Sequence, residues 1–248
     1  MSTLPVYAST FGDALNFIGN NGKVPGLAGA PTLVHLTLET LKVAGIGIAI
    51  ALVIALPIGI VLGHIHRGSF VAVNVGNILR SLPSLAILAI GVAFLGLGLA
   101  NVEVALVVLA VPPVITNAYV AIDGVDREIV DSARGMGMTE RMILFKVEMP
   151  LGLPLIFAGI RTAALFVVAT TTIATLTGFS GTLGDVITNE ASYHLSGVLG
   201  AAIVIAALAL LVEFVLAGVQ RALTPKGLKL SRTDDASAAL TPAVTGAA

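Results

Sequence analysis

Long stretches of apolar residues alternate with short polar segments along this chain. Five of the stretches predict membrane-spanning helices, because about 20 apolar residues cross the ~30 Å hydrocarbon core of a bilayer. The predicted spans are 40–63, 84–98, 102–123, 153–178 and 197–220. The runs are continuously apolar rather than alternating, which favours helices over the strands of a barrel. Small residues four positions apart, such as Gly59 and Gly63, predict close contacts between these helices.

The second stretch is the least regular of the five. It begins near residue 68, but Arg80 and Pro83 interrupt it. We therefore predict that its first part, up to Pro83, is an interfacial or re-entrant lead-in and that only 84–98 lies in lipid. A sixth span over this lead-in is the alternative. The predicted fold class is an all-α integral membrane protein, a bundle of five helices or, on that alternative, six.

The composition supports a membrane protein and excludes several kinds of site. The chain has 248 residues, 56% of them hydrophobic and 11% charged, with a mean hydropathy of +1.01. A soluble domain carries about 25% charged residues, so this chain lacks the polar surface that water requires. It contains no cysteine, which excludes disulfides and thiolate metal sites. Its four histidines are too scattered for a metal site, no cofactor is predicted, and no basic stripe suggests a nucleic-acid partner.

Lysine and arginine predict the orientation of the spans, because short cytoplasmic loops are enriched in them. One side of the bundle collects nearly all of these residues: Arg67, Arg127, Arg134, Arg141, Lys146, Arg221, Lys226, Lys229 and Arg232. The opposite side carries only Lys23. With five spans, this places the N-terminus outside and the C-terminus in the cytoplasm.

Three regions follow from this pattern. Residues 1–35 are expected to form an extracytoplasmic N-terminal arm, which lacks the basic and apolar regions of a cleaved signal peptide. Residues 36–225 form the transmembrane domain, which includes a cytoplasmic segment at 124–150. Residues 226–248 are small and polar without periodicity, and we expect them to be a disordered cytoplasmic tail.

One long polar segment interrupts the apolar stretches, VDSARGMGMTERMILFKVEMP at 130–150. Gly135 and Gly137 allow a sharp bend, and Thr139 is a suitable N-cap for a second short helix. Pro150 is expected to end that helix before the fourth span begins. Two short helices at a bend form a knob with an apolar ridge, which suits docking into a groove of another protein. A solvated connecting loop is the alternative.

The spacing within this segment resembles the cytoplasmic EAA loop in the inner-membrane subunits of binding-protein-dependent ABC importers. That pattern is Glu-Ala-Ala, three residues, Gly, nine residues, then Ile-x-Leu-Pro. This chain has Asp131-Ser132-Ala133, then Gly137, then Val147-Glu148-Met149-Pro150. The glycine and the proline are in register, and the remaining differences are conservative.

Further stretches are similar to the branch of these importers that carries osmoprotectants: RSLPSLAIL at 80–88, ARGMGMT at 133–139, GIRTA at 159–163 and GFSGTLGD at 178–185. The resemblance covers about residues 32–225. It implies a permease with the fold of the methionine importers, which moves glycine betaine, choline, carnitine or proline betaine across the bacterial inner membrane. The implied partners are cytoplasmic ATPase subunits, a second permease subunit, an extracytoplasmic solute-binding protein and membrane lipid.

The resemblance also assigns the polar segment as the coupling helix that contacts the ATPase. The implied coupling residues are Asp131, Ala133, Arg134, Gly135, Gly137, Glu140 and Pro150. The permease itself would be non-catalytic. The chain contains no G-x-x-x-x-G-K-[ST] motif, so ATP hydrolysis falls to a separate chain. The glycine-rich stretch at 178–185 also lacks the lysine and is expected to be a tight extracellular turn.

Polar side chains within the spans are candidates for the solute path. Asn117 could line the path, or its amide could tie two helices together. Thr171 and Thr175 share one face of a hydroxyl-rich stripe, although threonine hydroxyls also bond back to the preceding turn. Arg161 is expected to reach toward the cytoplasm or to meet a carbonyl or an acid.

Two alternative functions remain open at this point. One is the same kind of importer with a different cargo, such as methionine or another amino acid, because the coupling loop is shared among such importers. The other is a passive channel or a membrane scaffold in which 130–150 binds a partner other than an ATPase. An importer is expected to co-purify with an ATPase and to show no flux without ATP.

Overall fold

The computed structural model describes residues 4–23, 29–68, 70, 74 and 76–224. The helices are α1 (Leu4–Gly19), α2 (Leu33–His64), α3 (Gly76–Ser81), α4 (Ser84–Leu95), α5 (Leu99–Asp123), α6 (Arg127–Gly135), α7 (Glu140–Ile143), α8 (Met149–Ile173), α9 (Gly184–Thr188) and α10 (Glu190–Leu223). A π-helical turn, Leu144–Glu148, joins α7 to α8, and a 3-10 turn, Ala174–Thr177, follows α8. No strand occurs in these ranges. The predicted all-α fold class is confirmed, and the predicted tail at 226–248 lies outside the described residues.

Four of the described helices are long and apolar enough to cross a membrane: α2, α5, α8 with its flanking turns, and α10. They match the first, third, fourth and fifth predicted spans. The second span is divided, because α4 has 12 residues and is only about 18 Å long. Helix α3 precedes it across a break at Leu82 and Pro83, where the proline ring and its missing N–H prevent a continuous helix. Most of the predicted lead-in before α3 lies outside the described residues.

Helix α5 is the centre of the bundle and packs against α2 and α8. Glycines bring the three helices together by setting backbone against backbone: Gly59 and Gly63 of α2, and Gly152 and Gly159 of α8. A Cβ atom at Gly59 or Gly63 would lie 2.8 Å from a carbonyl oxygen of α5. Such close approach is how helices gain packing energy in lipid, and it confirms the contact that the small-residue spacing predicts.

The N-terminal arm contains a helix that the sequence analysis does not assign. Helix α1 packs against α10, and Phe17 is its buried anchor. The Phe17 ring meets Tyr193 edge-on, with ring centroids 6.3 Å apart, and it also contacts Gly197 and Gly200. The spacing of Phe17, Gly197 and Gly200 shows how an aromatic ring fills the notch that two small residues leave in a helix.

The glycine-rich stretch at 178–185 folds as a tight turn, as predicted. Gly178 and Gly181 have positive φ angles of 79° and 101°, which favour glycine. The backbone N–H of Leu183 donates a 3.0 Å hydrogen bond to Oγ1 of Thr40, near the start of α2. Both Thr40 and Leu183 are fully buried, so this turn is attached to the bundle rather than free in solvent.

We predict that Gly63→Ala destabilises the protein, because its new Cβ atom would press on the backbone of α5. Overpacking of this kind costs about 1–3 kcal/mol. Gly45→Ala is the matched control, since Gly45 lies on the same helix with no atom within 4 Å of an added Cβ. Unfolding in mixed detergent micelles measures both changes. Equal stability of the two variants would contradict the close contact between α2 and α5.

Candidate functional site

The polar segment folds as the two short helices α6 and α7, and each has a side-chain cap. Asp126 caps α6 by accepting a 2.8 Å hydrogen bond from the N–H of Glu128. Thr139 caps α7 by accepting a 3.4 Å hydrogen bond from the N–H of Met142. The predicted N-cap at Thr139 is confirmed. These caps satisfy N–H groups that short helices otherwise leave without partners.

The bend between α6 and α7 depends on Gly137. Its φ angle is 83°, and its N–H donates to the carbonyl of Arg134 at 3.0 Å. The next N–H, from Met138, donates to the carbonyl of Ala133 at 3.2 Å. This pair of hydrogen bonds is a Schellman motif, which requires a left-handed residue at the position of Gly137. Gly135 is the last residue of α6 and has no positive φ angle.

One face of the helix pair is apolar and buried. Its core is Val125, Val130, Ala133 and Ile143, with Met138, Val147 and Leu151 packed around it. Ala133 was predicted to contact an ATPase, but it is only 3% exposed and lies in this cluster. The structure therefore places Ala133 beneath the outer face, where its small side chain lets α6 lie close to α7.

The opposite face combines charged and apolar side chains. Arg134 connects the two helices, with Nη1 3.0 Å from Oδ1 of Asp131 and Nε 3.1 Å from Oε1 of Glu140. The hydrogen bond to Glu140 raises the pKa of Arg134 above its usual value, so the guanidinium stays charged. Met136, in the turn after α6, and Phe145, in the π turn, are 77% and 63% exposed. The sequence analysis did not single out Met136, which follows a glycine within a turn.

The predicted helix end at Pro150 is wrong. Pro150 lies in the first turn of α8, and one helical segment runs from Glu140 to Thr177. The π-helical turn explains this continuity, because the N–H of Met149 donates to the carbonyl of Leu144, five residues earlier. In a regular α-helix the ring of Pro150 would clash with the carbonyl four residues before it. The wider π turn removes that clash.

The candidate path residues make hydrogen bonds within the chain. Asn117 Nδ2 donates to the carbonyl of Pro113 at 2.7 Å. The hydroxyl of Thr171 is buried and donates to the carbonyl of Val167 at 2.8 Å. The hydroxyl of Thr175 lies 3.4 Å from that of Thr182. Each of these residues thus has one polar atom in a hydrogen bond within the chain, and a role in solute passage remains a prediction.

A cleft of about 180 Å³ opens between the start of α4, α5 and α8. Its lining residues are Leu82, Ser84, Leu109, Phe166, Ala169, Thr170 and Ile173. Thr170 is buried and Phe166 is exposed. Sequence reasoning did not select Ser84 or Phe166, although the interruption at Pro83 was a usable signal. A helix that is broken within the membrane leaves room of this kind beside its neighbours.

Arg161 pairs with an acidic side chain, which was one of the alternatives predicted for it. Its guanidinium pairs with Glu213 of α10 and donates to Oε1 of Gln220 at 3.2 Å. The amide of Gln220 in turn donates to the carbonyl of Pro154 at 3.3 Å. These polar contacts tie α8 to α10 where apolar packing alone would give no fixed register.

Known proteins place the chain in a family. Residues 31–227 match the family described as the binding-protein-dependent transport system inner membrane component. The chain belongs to this family. The glycine betaine/carnitine/choline transport system permease protein OpuCB of Bacillus subtilis is 36% identical over 198 residues, which cover 79% of this permease and 91% of that protein. The carnitine transport permease protein OpuCB of Listeria monocytogenes is 38% identical over 186 residues, with 75% and 85% covered.

Solved structures show the same fold in a methionine transporter. The permease matches a chain of the MetNI methionine ABC transporter in an inward-facing conformation with a TM-score of 0.67 and 23% sequence identity. The match covers 78% of the permease and 96% of that chain. The predicted methionine-importer-like fold is confirmed.

Family membership also decides the general role. The permease is a multi-pass inner-membrane subunit of an ABC transporter and is non-catalytic, because a separate subunit hydrolyses ATP. Membership implies ATPase subunits, a substrate-binding protein and a second permease as partners. The passive channel and the scaffold are therefore not the role of this chain.

We predict that Arg161→Met destabilises the permease more than the double variant Arg161→Met/Glu213→Leu. The single change leaves the carboxylate of Glu213 without its cation, whereas the double change removes both charges. The expected loss for the single variant is about 3 kcal/mol, the lower end of the ~3–5 kcal/mol that breaking a buried ion pair costs. Unfolding in mixed micelles measures it, and a single variant no less stable than the double would contradict the role of this ion pair.

Proposed function

We propose that this permease imports osmoprotectants with a quaternary ammonium group, such as glycine betaine, choline, carnitine or proline betaine. The observation that carries the proposal is its similarity to permeases named for these solutes, at 36% and 38% identity over three quarters or more of the chain. The methionine transporter is a weaker guide to cargo, since 23% identity supports the fold alone. Methionine or another amino acid remains the second candidate cargo.

The proposed orientation has the N-terminus outside and the α6–α7 segment in the cytoplasm. The positive residues of this segment and of the end of α10 support it, because lysine and arginine are retained on the cytoplasmic side. In this orientation the turn at 178–185 faces the extracytoplasmic solute-binding protein. The helix pair α6–α7 faces the ATPase.

The proposed ATPase contact is the exposed face of α6 and α7. Asp131, Arg134 and Glu140 form its charged part, and Met136 and Phe145 add apolar surface. Apolar anchors surrounded by polar groups are typical of protein interfaces. Gly137 shapes the turn that presents this face, and Gly135 ends the helix before it. Ala133 and Pro150 support it from below, the first within the buried cluster and the second at the start of α8.

The proposed solute path runs beside α5 and α8. Asn117, Thr171 and Thr175 remain candidates for it, and the cleft lined by Phe166 and Thr170 is a further candidate. An aromatic face attracts a trimethylammonium group, and a hydroxyl can accept or donate a hydrogen bond to the rest of the solute. The chain has no tryptophan and three tyrosines, which suits passage of a solute rather than its tight retention.

The proposed ATPase contact predicts that Met136→Glu weakens ATPase capture at least about tenfold, equivalent to 1.4 kcal/mol. The change puts a charge among apolar interface atoms, while Met136 is too exposed for the fold to depend on it. Leu223→Glu is the control, because Leu223 is also exposed, at the end of α10. Pull-down of the ATPase from detergent extracts measures capture. Normal capture by Met136→Glu would argue against docking at the α6–α7 bend.

The cargo is tested with liposomes that contain the permease, its ATPase and its binding protein. We expect uptake of radiolabelled glycine betaine that needs ATP and is competed by choline or carnitine. Methionine and histidine are the comparison solutes. ATP-driven uptake of either amino acid without uptake of quaternary ammonium solutes would contradict the proposed cargo and support the second candidate, an amino acid.

A further inference from the structure

His64, the last residue of α2, touches the α6–α8 region through two carboxylates. Its Nδ1 lies 2.6 Å from Oε2 of Glu148, and its Nε2 lies 3.8 Å from Oε2 of Glu140. The side chain of Glu148 is 1% exposed, and that of His64 is 18% exposed. One imidazole ring therefore connects the end of a membrane span to the π turn and to α7.

The carboxylate of Glu148 is buried for its interaction with His64 and not merely to fill space in the core. Removing a carboxylate from water costs several kcal/mol unless a partner compensates for it. An apolar side chain of similar size would fill the same position without that penalty. Glu148 lies in the π turn. This form of helix is rare in proteins overall, but where it occurs it is often at a functional site. His64 supplies its partner from 84 residues away in the chain.

The contact completes a set of three attachments at the end of the bundle that we assign to the cytoplasm. Gly63 fixes the end of α2 against α5, and Gly152 fixes the start of α8 against the same helix. The π turn between α7 and α8 is the irregular part of this arrangement. The contact of His64 with Glu148 joins the turn directly to α2. Its contact with Glu140 extends the link to the exposed charged cluster, where Arg134 holds Glu140.

We propose that His64 and Glu148 are a positioning pair that transmits displacement of α6–α7 to α2. The inference rests on the proposed docking of the ATPase and adds to it a residue pair outside the docking face. With the pair in place, α7, the π turn and α2 move together. Without it, the π turn deforms and absorbs the motion that the ATPase produces, so ATP is hydrolysed without proportionate uptake.

The test compares ATP hydrolysis with uptake in liposomes that contain the permease, its ATPase and its binding protein. His64→Leu and Glu148→Leu are expected to retain ATPase capture and hydrolysis within about twofold, while uptake per ATP falls at least about tenfold. Glu148→Gln keeps a hydrogen-bonding group for the imidazole and is expected to retain at least half of the uptake per ATP. A purely structural role would lower hydrolysis and uptake together.

His66→Asn is the matched control. His66 lies two residues beyond His64, and its Nδ1 lies 2.7 Å from Oδ1 of Asp123, the last residue of α5. Its φ angle is 50°, a left-handed conformation that asparagine accepts. Uptake per ATP is expected to stay unchanged in this variant, because the end of α2 is held against α5 by Gly63 as well.

Normal uptake per ATP in both leucine variants would overturn the inference, as would parallel losses of hydrolysis and uptake. If the leucine variants do not assemble, the double variant His64→Gln/Glu148→Gln decides, because it restores a hydrogen bond between the two positions and places no carboxylate beside Glu140. Recovery of uptake per ATP supports the positioning pair, and no recovery overturns it. A wild-type permease that captures no ATPase would overturn the proposed docking and this inference together, whereas unchanged coupling in an assembled complex overturns this inference alone.

Discussion

The backbone contact of α2 and α8 with α5 is the constraint on which the rest of this structure depends. Lipid offers no hydrophobic driving force between helices, so attraction has to come from close packing. Glycines at the contact bring carbonyl groups of α5 within reach of Gly63 and Gly152. Both glycines lie at the end of the bundle where α6 and α7 begin. The polar segment is therefore attached to a firm base, and a side chain at either glycine would displace that base.

A firm base explains why a protein so rich in apolar residues keeps one long charged segment. Two capped helices, a Schellman turn at Gly137 and the bridging Arg134 make the segment a defined body. A disordered loop takes many shapes, whereas this folded segment keeps one. The π turn before α8 is an irregular connection between α7 and α8, and the side chain of Glu148 ties that connection to α2.

Local sequence patterns predicted much of this architecture. Features that depend on long-range contacts could not be predicted from them. Continuous apolar runs located the full-length spans, and turn chemistry located the cap at Thr139 and the bend at Gly137. The helix through Pro150 was not predictable, because a π turn has no clear sequence signature. The burial of Ala133 depends on α7 folding back over α6. His64 and Glu148 are 84 residues apart in the chain. A single sequence does not show that two such distant residues are close in space.

Helix α2 has a further consequence because both of its ends are anchored. It is 32 residues long, or about 48 Å. Near its start, the hydroxyl of Thr40 holds the turn that contains Leu183, and its last residue holds Glu148. It therefore links the two ends of the bundle, and most residues of its apolar window are not buried inside the protein. One continuous helix joins the contact with the turn at 178–185 to the contact with the π turn, so a displacement of α2 at either contact would also displace its other end.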